Sequence, residues 1–263
     1  MLLEVCCGNR QSAINAAEAG AQRIELCRDL PLGGLTPSYE DILFCRKHLP
    51  LKTFVLIRPR GGDFCYTDKE FDQILSDINF CRKQGIPGVV VGFLLPDFSI
   101  DVEKSRLAIE AAGPMQVTFH RAFDRCKDWP KALEQIIDCG FHRILTSGQH
   151  PTAPEGAETL AEIVKRAQHR ITILAGSGVN SDNVTELIRK THTDEVHASC
   201  KLNGDTSQTG EIELIISKLY YPGLRPPVGD LVSFSSSLGI LKVNYESALT
   251  RSSNLKEGEL IVP

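Results

Sequence analysis

The apolar run at residues 54–57 breaks off into Arg58-Pro59-Arg60-Gly61-Gly62-Asp63, with a guanidinium group on either side of a proline. Pro59 restricts its own φ and the conformation of Arg58, and the glycine pair lets the backbone turn tightly or approach a ligand. Two guanidinium groups held this way suit an anion. A buried ion-pair network with Asp63 is the other reading of the same residues. Comparable polar endings recur along the chain. Glu4 and Cys6 close one apolar run, Glu25 and Cys27 another, and His120, Arg121 and Asp124 a third. Thr146-Ser147-Gly148 and Gly176-Ser177-Gly178 add hydroxyls and turn glycines, and His197 stands in Glu-Val-His-Ala. Glu4, Glu25 and His120 are candidates for proton exchange with a small substrate, with Asp124 orienting His120. Arg58, Arg60, Arg121 and the 175–179 loop are candidates to hold a phosphate or carboxylate. Asp63, Ser147, Gly148, Gly176, Gly178 and His197 belong to the same candidate substrate pocket. The glycines match neither a P-loop nor a dinucleotide fingerprint, so no nucleotide cofactor is expected.

Residues so widely spaced meet only if a fold gathers them. Short apolar segments at 2–6, 23–27, 53–57, 88–93, 116–119, 143–145, 171–174 and 195–198 read as strands. Most lack strict alternation, as parallel strands covered on both faces do. Helical patterns fill the gaps at 12–19, 38–48, 71–82, 102–112, 129–139, 156–167 and 182–189. Gly20, Gly85, Gly113 and Gly140 stand just past helical stretches, where a chain often stops in a left-handed conformation. This rhythm fits an α/β fold of the TIM type, a (β/α)₈ barrel. An open doubly wound sheet is the alternative, and it needs a reversal of strand order that sequence does not reveal. In a barrel the strand C-termini share one mouth, which would gather the polar endings. Glu4 with Cys6, and Glu25 with Cys27, would then form two laterally adjacent carboxylate–thiol columns. Residues 1–221 are assigned to the barrel domain. Within it, 211–221 suits a helix or a short strand. Residues 222–263, rich in proline and serine, form an extension that either packs on the barrel, lies at a subunit contact or is a flexible tail, with a candidate strand or packed arm at 238–245.

The composition narrows the function. The chain has 263 residues and a formal net charge of −4, with no long basic block, which disfavours nucleic-acid binding. No apolar run is long enough to span a membrane, and the start has no secretory pattern. Nine cysteines, an odd number, make no disulfide framework and point to reduced thiols in a cytoplasmic protein.

The motifs Leu-Glu-Val-Cys-Cys, Arg-Ile-Glu-Leu-Cys, Gly-Gly-Leu-Thr-Pro-Ser, Ile-Arg-Pro-Arg-Gly-Gly-Asp-Phe-Cys-Tyr, Thr-Phe-His-Arg-Ala-Phe-Asp, Arg-Ile-Leu-Thr-Ser-Gly and Glu-Val-His-Ala-Ser occur in this order between Leu2 and Ser199. Together they resemble the copper homeostasis protein CutC family. The resemblance implies a cytoplasmic (β/α)₈ barrel, commonly a homo-oligomer and here expected as a dimer, linked to copper handling. Family positions carry over onto Glu4, Glu25, Arg58, Arg60, Asp63, His120, Arg121, Asp124, Ser147 and His197. The thiols implied for Cu(I) are Cys6 and Cys27. Cu(I) is soft and favours such ligands, with Cys65 as an optional third. Free cysteine is also among the most buried residue types, so packing is an equal reading of both thiols. Cys45, Cys81, Cys126 and Cys139 read as packing residues. The alternative function is a metal-independent barrel enzyme acting on a small phosphorylated or carboxylated metabolite. Past Ser199 the chain departs from the family pattern.

Overall fold

The structure, a computed structural model, describes residues 1–202 and 204–220. Residue 221 of the expected barrel domain, the expected extension at 222–263 and its candidate strand lie outside the described residues. The strands are β1 (Leu2–Cys7), β2 (Arg23–Leu26), β3 (Lys52–Leu56), β4 (Gly88–Val91), β5 (Gln116–Phe119), β6 (Arg143–Thr146), β7 (Thr172–Gly176) and β8 (Glu195–Ala198). They close into a barrel in sequence order, with every neighbouring pair parallel and β8 returning to β1. The open sheet is thereby excluded. Helices α1 (Arg10–Glu18), α2 (Tyr39–His48), α3 (Asp68–Lys83), α4 (Val102–Ala112), α5 (Trp129–Cys139), α6 (Ala157–Ala167), α7 (Val184–Thr191) and α8 (Thr209–Tyr220) follow the strands in turn. The stretch left open between helix and strand is therefore helical as far as Tyr220.

Local chemistry starts several of these helices. Asn9, Ser38, Asp101 and Asp128 each accept a backbone N–H at a helix start. Thr67 and Glu70 form a reciprocal capping box on α3. Gly140 ends α5 in the left-handed region.

The strands have two unlike faces. Leu3, Val5, Ile24, Leu26, Val55, Val89, Val117, Ile144, Ile173 and Val196 belong to the main core, which they share with helix residues such as Ala13, Ile74, Leu133 and Leu160. Inside the barrel only a small apolar cluster forms, from Cys6, Cys27, Phe54, Leu56 and Val90. Leu145 and Leu174 are also buried on the inward face, and polar and charged side chains share it. Glu4, Arg23, Glu25, Arg143 and His197 are all buried there.

Candidate functional site

The lower interior is an ionic layer. Arg23 donates from Nε to Glu4 Oε2 at 2.5 Å and from Nη1 to Glu195 Oε1 at 3.2 Å. Arg143 donates to Glu195 Oε2 at 3.2 Å and to Gln116 Oε1 at 3.0 Å. The Phe54 ring has the Arg23 guanidinium 5.1 Å and the Arg143 guanidinium 5.0 Å from its centroid. Charges out of water are costly unless paired, and here each guanidinium meets a carboxylate as well as the aromatic ring. Burial alone would raise the Glu4 pKa. Arg23, the bond to His197 and Arg143 outweigh burial and hold the carboxyl at about 2.

Above this layer the mouth begins. His197 Nδ1 lies 2.9 Å from Glu4 Oε1, and its Nε2 lies 3.4 Å from Glu25 Oε2. An ionised Glu4 fixes the imidazole orientation with a proton on Nδ1. Burial by itself would lower the His197 pKa, but Cys6, Glu4 and the charge of Glu25 raise it well above the ordinary value. Glu25 is shifted upward by burial, with the Glu4 charge adding to the effect. Cys6 Sγ and Cys27 Sγ stand 3.9 Å apart. The bond to Cys27 and burial push the Cys6 thiol up, so it is protonated at neutral pH. One donor atom each from Cys6, Glu25 and His197 lie within 4.8 Å of one another, a group able to chelate a metal ion.

The register of β1 against β2 sets how the two thiols meet. Cys6 pairs with Glu25, and Glu4 with Arg23. The carboxylate–thiol columns are therefore offset by two residues. This is the stagger a closed barrel requires. Cys6 stands beside the carboxylate of the next strand, and Cys27 reaches it from above.

Cys6, Glu25, Cys27, Arg58, His120, Arg121, Gly178 and His197 line one cavity of about 440 Å³. Other candidates lie elsewhere. Glu4 sits beneath the cavity and acts on it through His197. Arg58 is on the wall, but its guanidinium donates to the carbonyls of Leu32, Gly34 and Gly62 at 2.9–3.0 Å. It thereby ties the loops after β2 and β3 together. Arg60 turns away to Glu70 at 2.6 Å and Asp63 at 2.9 Å, and neither Arg60 nor Asp63 lines the cavity. Cys65 is likewise absent from its wall. Asp124 makes no hydrogen bond to His120. It accepts from Arg121 Nε at 2.8 Å and from the Ser147 N–H and hydroxyl at 3.0 Å. Gly148 receives its support from Thr146 Oγ1 at 3.0 Å. Gly176 lets His197 approach, since a Cβ there would lie 3.1 Å from His197 Cβ.

His120 owes its position to Gly92, the residue after β4. A Cβ on Gly92 would stand 2.4 Å from His120 Nδ1. Gly92→Ala is expected to cost about 1–3 kcal/mol of stability by overpacking, read from the urea midpoint; an unchanged midpoint would contradict this packing. Burial and the nearby Arg58 charge push His120 down to about 3, so its imidazole is neutral at ordinary pH.

Strand endings do not include Arg23, Arg143 and Glu195, which begin their strands. The signal was present in Arg23-Ile-Glu25, Arg143-Ile-Leu145 and Glu195-Val-His197. The alternation that turns Glu25 and His197 inward turns Arg23 and Glu195 inward as well.

Comparison with known proteins agrees with this arrangement. The CutC family model matches residues 1–202. A CutC protein of Vibrio vulnificus is 48% identical over 209 residues, covering 79% of this chain and 84% of the relative. One from Chromobacterium violaceum is 45% identical over 200 residues, covering 76% and 81%. The crystal structure of a Streptococcus agalactiae CutC, provisionally described as a copper homeostasis protein, superposes with a TM-score of 0.73 at 30% identity, covering 76% of this chain and 98% of that one. Phosphoribosylanthranilate isomerase of Thermotoga maritima, at TM-score 0.55 and 14% identity, shares the fold alone. With its barrel, its motif order and these relatives in agreement, the chain belongs to the CutC family.

Proposed function

We propose that this protein binds Cu(I) at the barrel mouth, through Cys6 Sγ and Cys27 Sγ with His197 Nε2 as third donor, and serves copper homeostasis. The pair of thiols from neighbouring strands carries the reading. Cu(I) prefers thiolate and imidazole donors over carboxylate. Metal–sulfur bonds of about 2.3 Å span at most ~4.6 Å when collinear, so a 3.9 Å separation suits a bent pair with room for a third ligand. Glu4 supports that role for His197. A carboxylate on the far ring nitrogen is the usual partner of a metal-bound histidine. Binding must displace the proton of the Cys6 thiol and the proton on His197 Nε2, since both groups are shifted upward. Nine free cysteines also suit the reducing cytoplasm.

Anaerobic competition with a Cu(I) chelator tests the site. Losing even an outer partner of a metal ligand costs ~10–100-fold in affinity. The Cys6→Ser/Cys27→Ser double variant should therefore bind Cu(I) more than about a hundredfold more weakly than the parent. Equal affinity in two proteins with matching circular dichroism spectra would reject the site. No helix among the described residues is long and apolar enough to cross a membrane.

A further inference from the structure

We infer that the same cavity holds an organic ligand, a small phosphorylated hydroxy or oxo compound. Its phosphate would lie in the loops after β7 and β8, and its oxygen-bearing end on His120 and Arg121. The cavity volume of about 440 Å³ falls in the range of small-molecule sites and far exceeds the space one metal ion fills.

The phosphate end rests on two loops that line the cavity side by side. After β7, Ser177 and Gly178 take consecutive positive φ values of 82° and 70°. After β8, Cys200 does so at 52°. Turns of this kind aim successive N–H groups into a concavity that suits an anion. Among the described residues, the N–H groups of Ser177, Gly178, Val179, Ser199, Cys200 and Lys201 donate to no protein acceptor. Lys201 brings a positive charge to the same wall, and its one ion-pair partner among the described residues, Asp205 at 3.8 Å, is itself exposed. Glu211 also lines the cavity, and its carboxylate accepts the Ser181 N–H and hydroxyl. Loops after the seventh and eighth strands are where barrels of this class commonly hold phosphate.

The other end is marked by two donors. His120 Nδ1 accepts the Ala122 N–H at 3.2 Å, which leaves the proton of the neutral ring on Nε2. Nε2 is buried and has no partner among the described residues. A buried donor without an acceptor is costly, and a hydroxyl or carbonyl oxygen of a ligand supplies one. Arg121 is held by Asp124 through Nε and by Ser147 through Nη2, at 2.8 and 2.9 Å. Its Nη1 is left without a protein partner among the described residues. Of the groups the sequence offers for an anion, Arg121 and the 175–179 loop line the cavity, Arg58 and Arg60 are engaged by carbonyls and carboxylates, and Lys201 is an addition. None of these groups is a proposed copper ligand, so this site and the copper site fail or stand separately.

The test uses the metal-free full chain, labelled with ¹⁵N. Inorganic phosphate should shift the amides of residues 177–179 and 199–201 saturably. Lys201→Glu should weaken that binding at least about tenfold. In a panel of triose, pentose and hexose phosphates, at least one member should bind about tenfold more tightly than inorganic phosphate. His120→Phe should abolish that gain and leave phosphate affinity unchanged. His120→Gln, which keeps a donor, should restore part of it and covers the case in which the phenylalanine variant fails to fold. Shifts that never saturate, or phosphate binding indifferent to Lys201→Glu, would overturn the phosphate site. A panel in which nothing exceeds inorganic phosphate, or a gain untouched in both His120 variants, would overturn the role of His120.

Discussion

Arg23→Ala is expected to destabilise the barrel by about 3–5 kcal/mol at neutral pH. The substitution removes the shared partner of Glu4 and Glu195 inside a layer from which water is excluded. Arg23 and Glu4 side chains are 3% and 1% exposed, so solvent screening does little to soften the loss. Urea denaturation at pH 7 reads it directly. A change below about 1 kcal/mol would show that Arg143 and His197 neutralise the two carboxylates unaided. The same variant carries a second signature. A carboxyl whose folded pKa lies below its unfolded value contributes stability above the unfolded pKa and loses it as the pH falls. For Glu4 that window runs from 4.5 down to about 2. Without Arg23 the Glu4 pKa should rise toward the ordinary range, and the parent's excess stability over the variant should shrink across this window.

Acid should also weaken the fold through His120, by about 4 kcal/mol at pH 3 relative to neutral pH. The unfolded chain takes up a proton at this histidine near pH 6.5, whereas the folded chain resists until about 3. Between those values the unfolded state binds more protons, so stability falls as the pH falls. The physical cause is burial, with the Arg58 charge adding to it. His120→Gln removes the titration while keeping an amide in the site. The stability difference between parent and variant, followed by denaturant unfolding from pH 7 to pH 3, should therefore drift against the parent. A constant difference over that range would mean that folded His120 takes up its proton as readily as the unfolded chain does.

Much of this molecule was legible before any coordinates. Eight strands were placed within about a residue or two of their observed limits. The reason is local: short β-branched and apolar runs between helix caps and stop glycines state their own conformation. The polar strand endings were also visible, because Glu25, His120 and His197 interrupt apolar segments where core packing offers no use for them. Strand ends of a parallel barrel converge on one rim, so this pattern predicted a common mouth. Other features were visible only in part. The role expected of Asp124 illustrates this. Its nearness to His120 in sequence suggested a pair, yet the turn after β5 carries Asp124 to Arg121 and to the Ser147 backbone and hydroxyl.

The strand–helix alternation, the family and the set of residues available for chemistry are all readable from the amino-acid sequence, whereas closure of the sheet is not. What is readable rests on short-range patterns: periodicity, caps and ordered motifs. Only the tertiary structure decided which of those residues meet. Barrel closure staggers each strand against the next, and this brings Cys6 beside Glu25 and His197 rather than level with Cys27. Loop folding sends Arg60 to Glu70 and Asp63, outside the cavity, while Arg121 and Lys201 line it. Closure also assembles Arg23, Arg143 and Glu195, from three strands, into one buried layer under the site. Partners separated by 52 and 172 positions leave no local trace of their pairing, because register and loop path are set by the packing of the whole barrel.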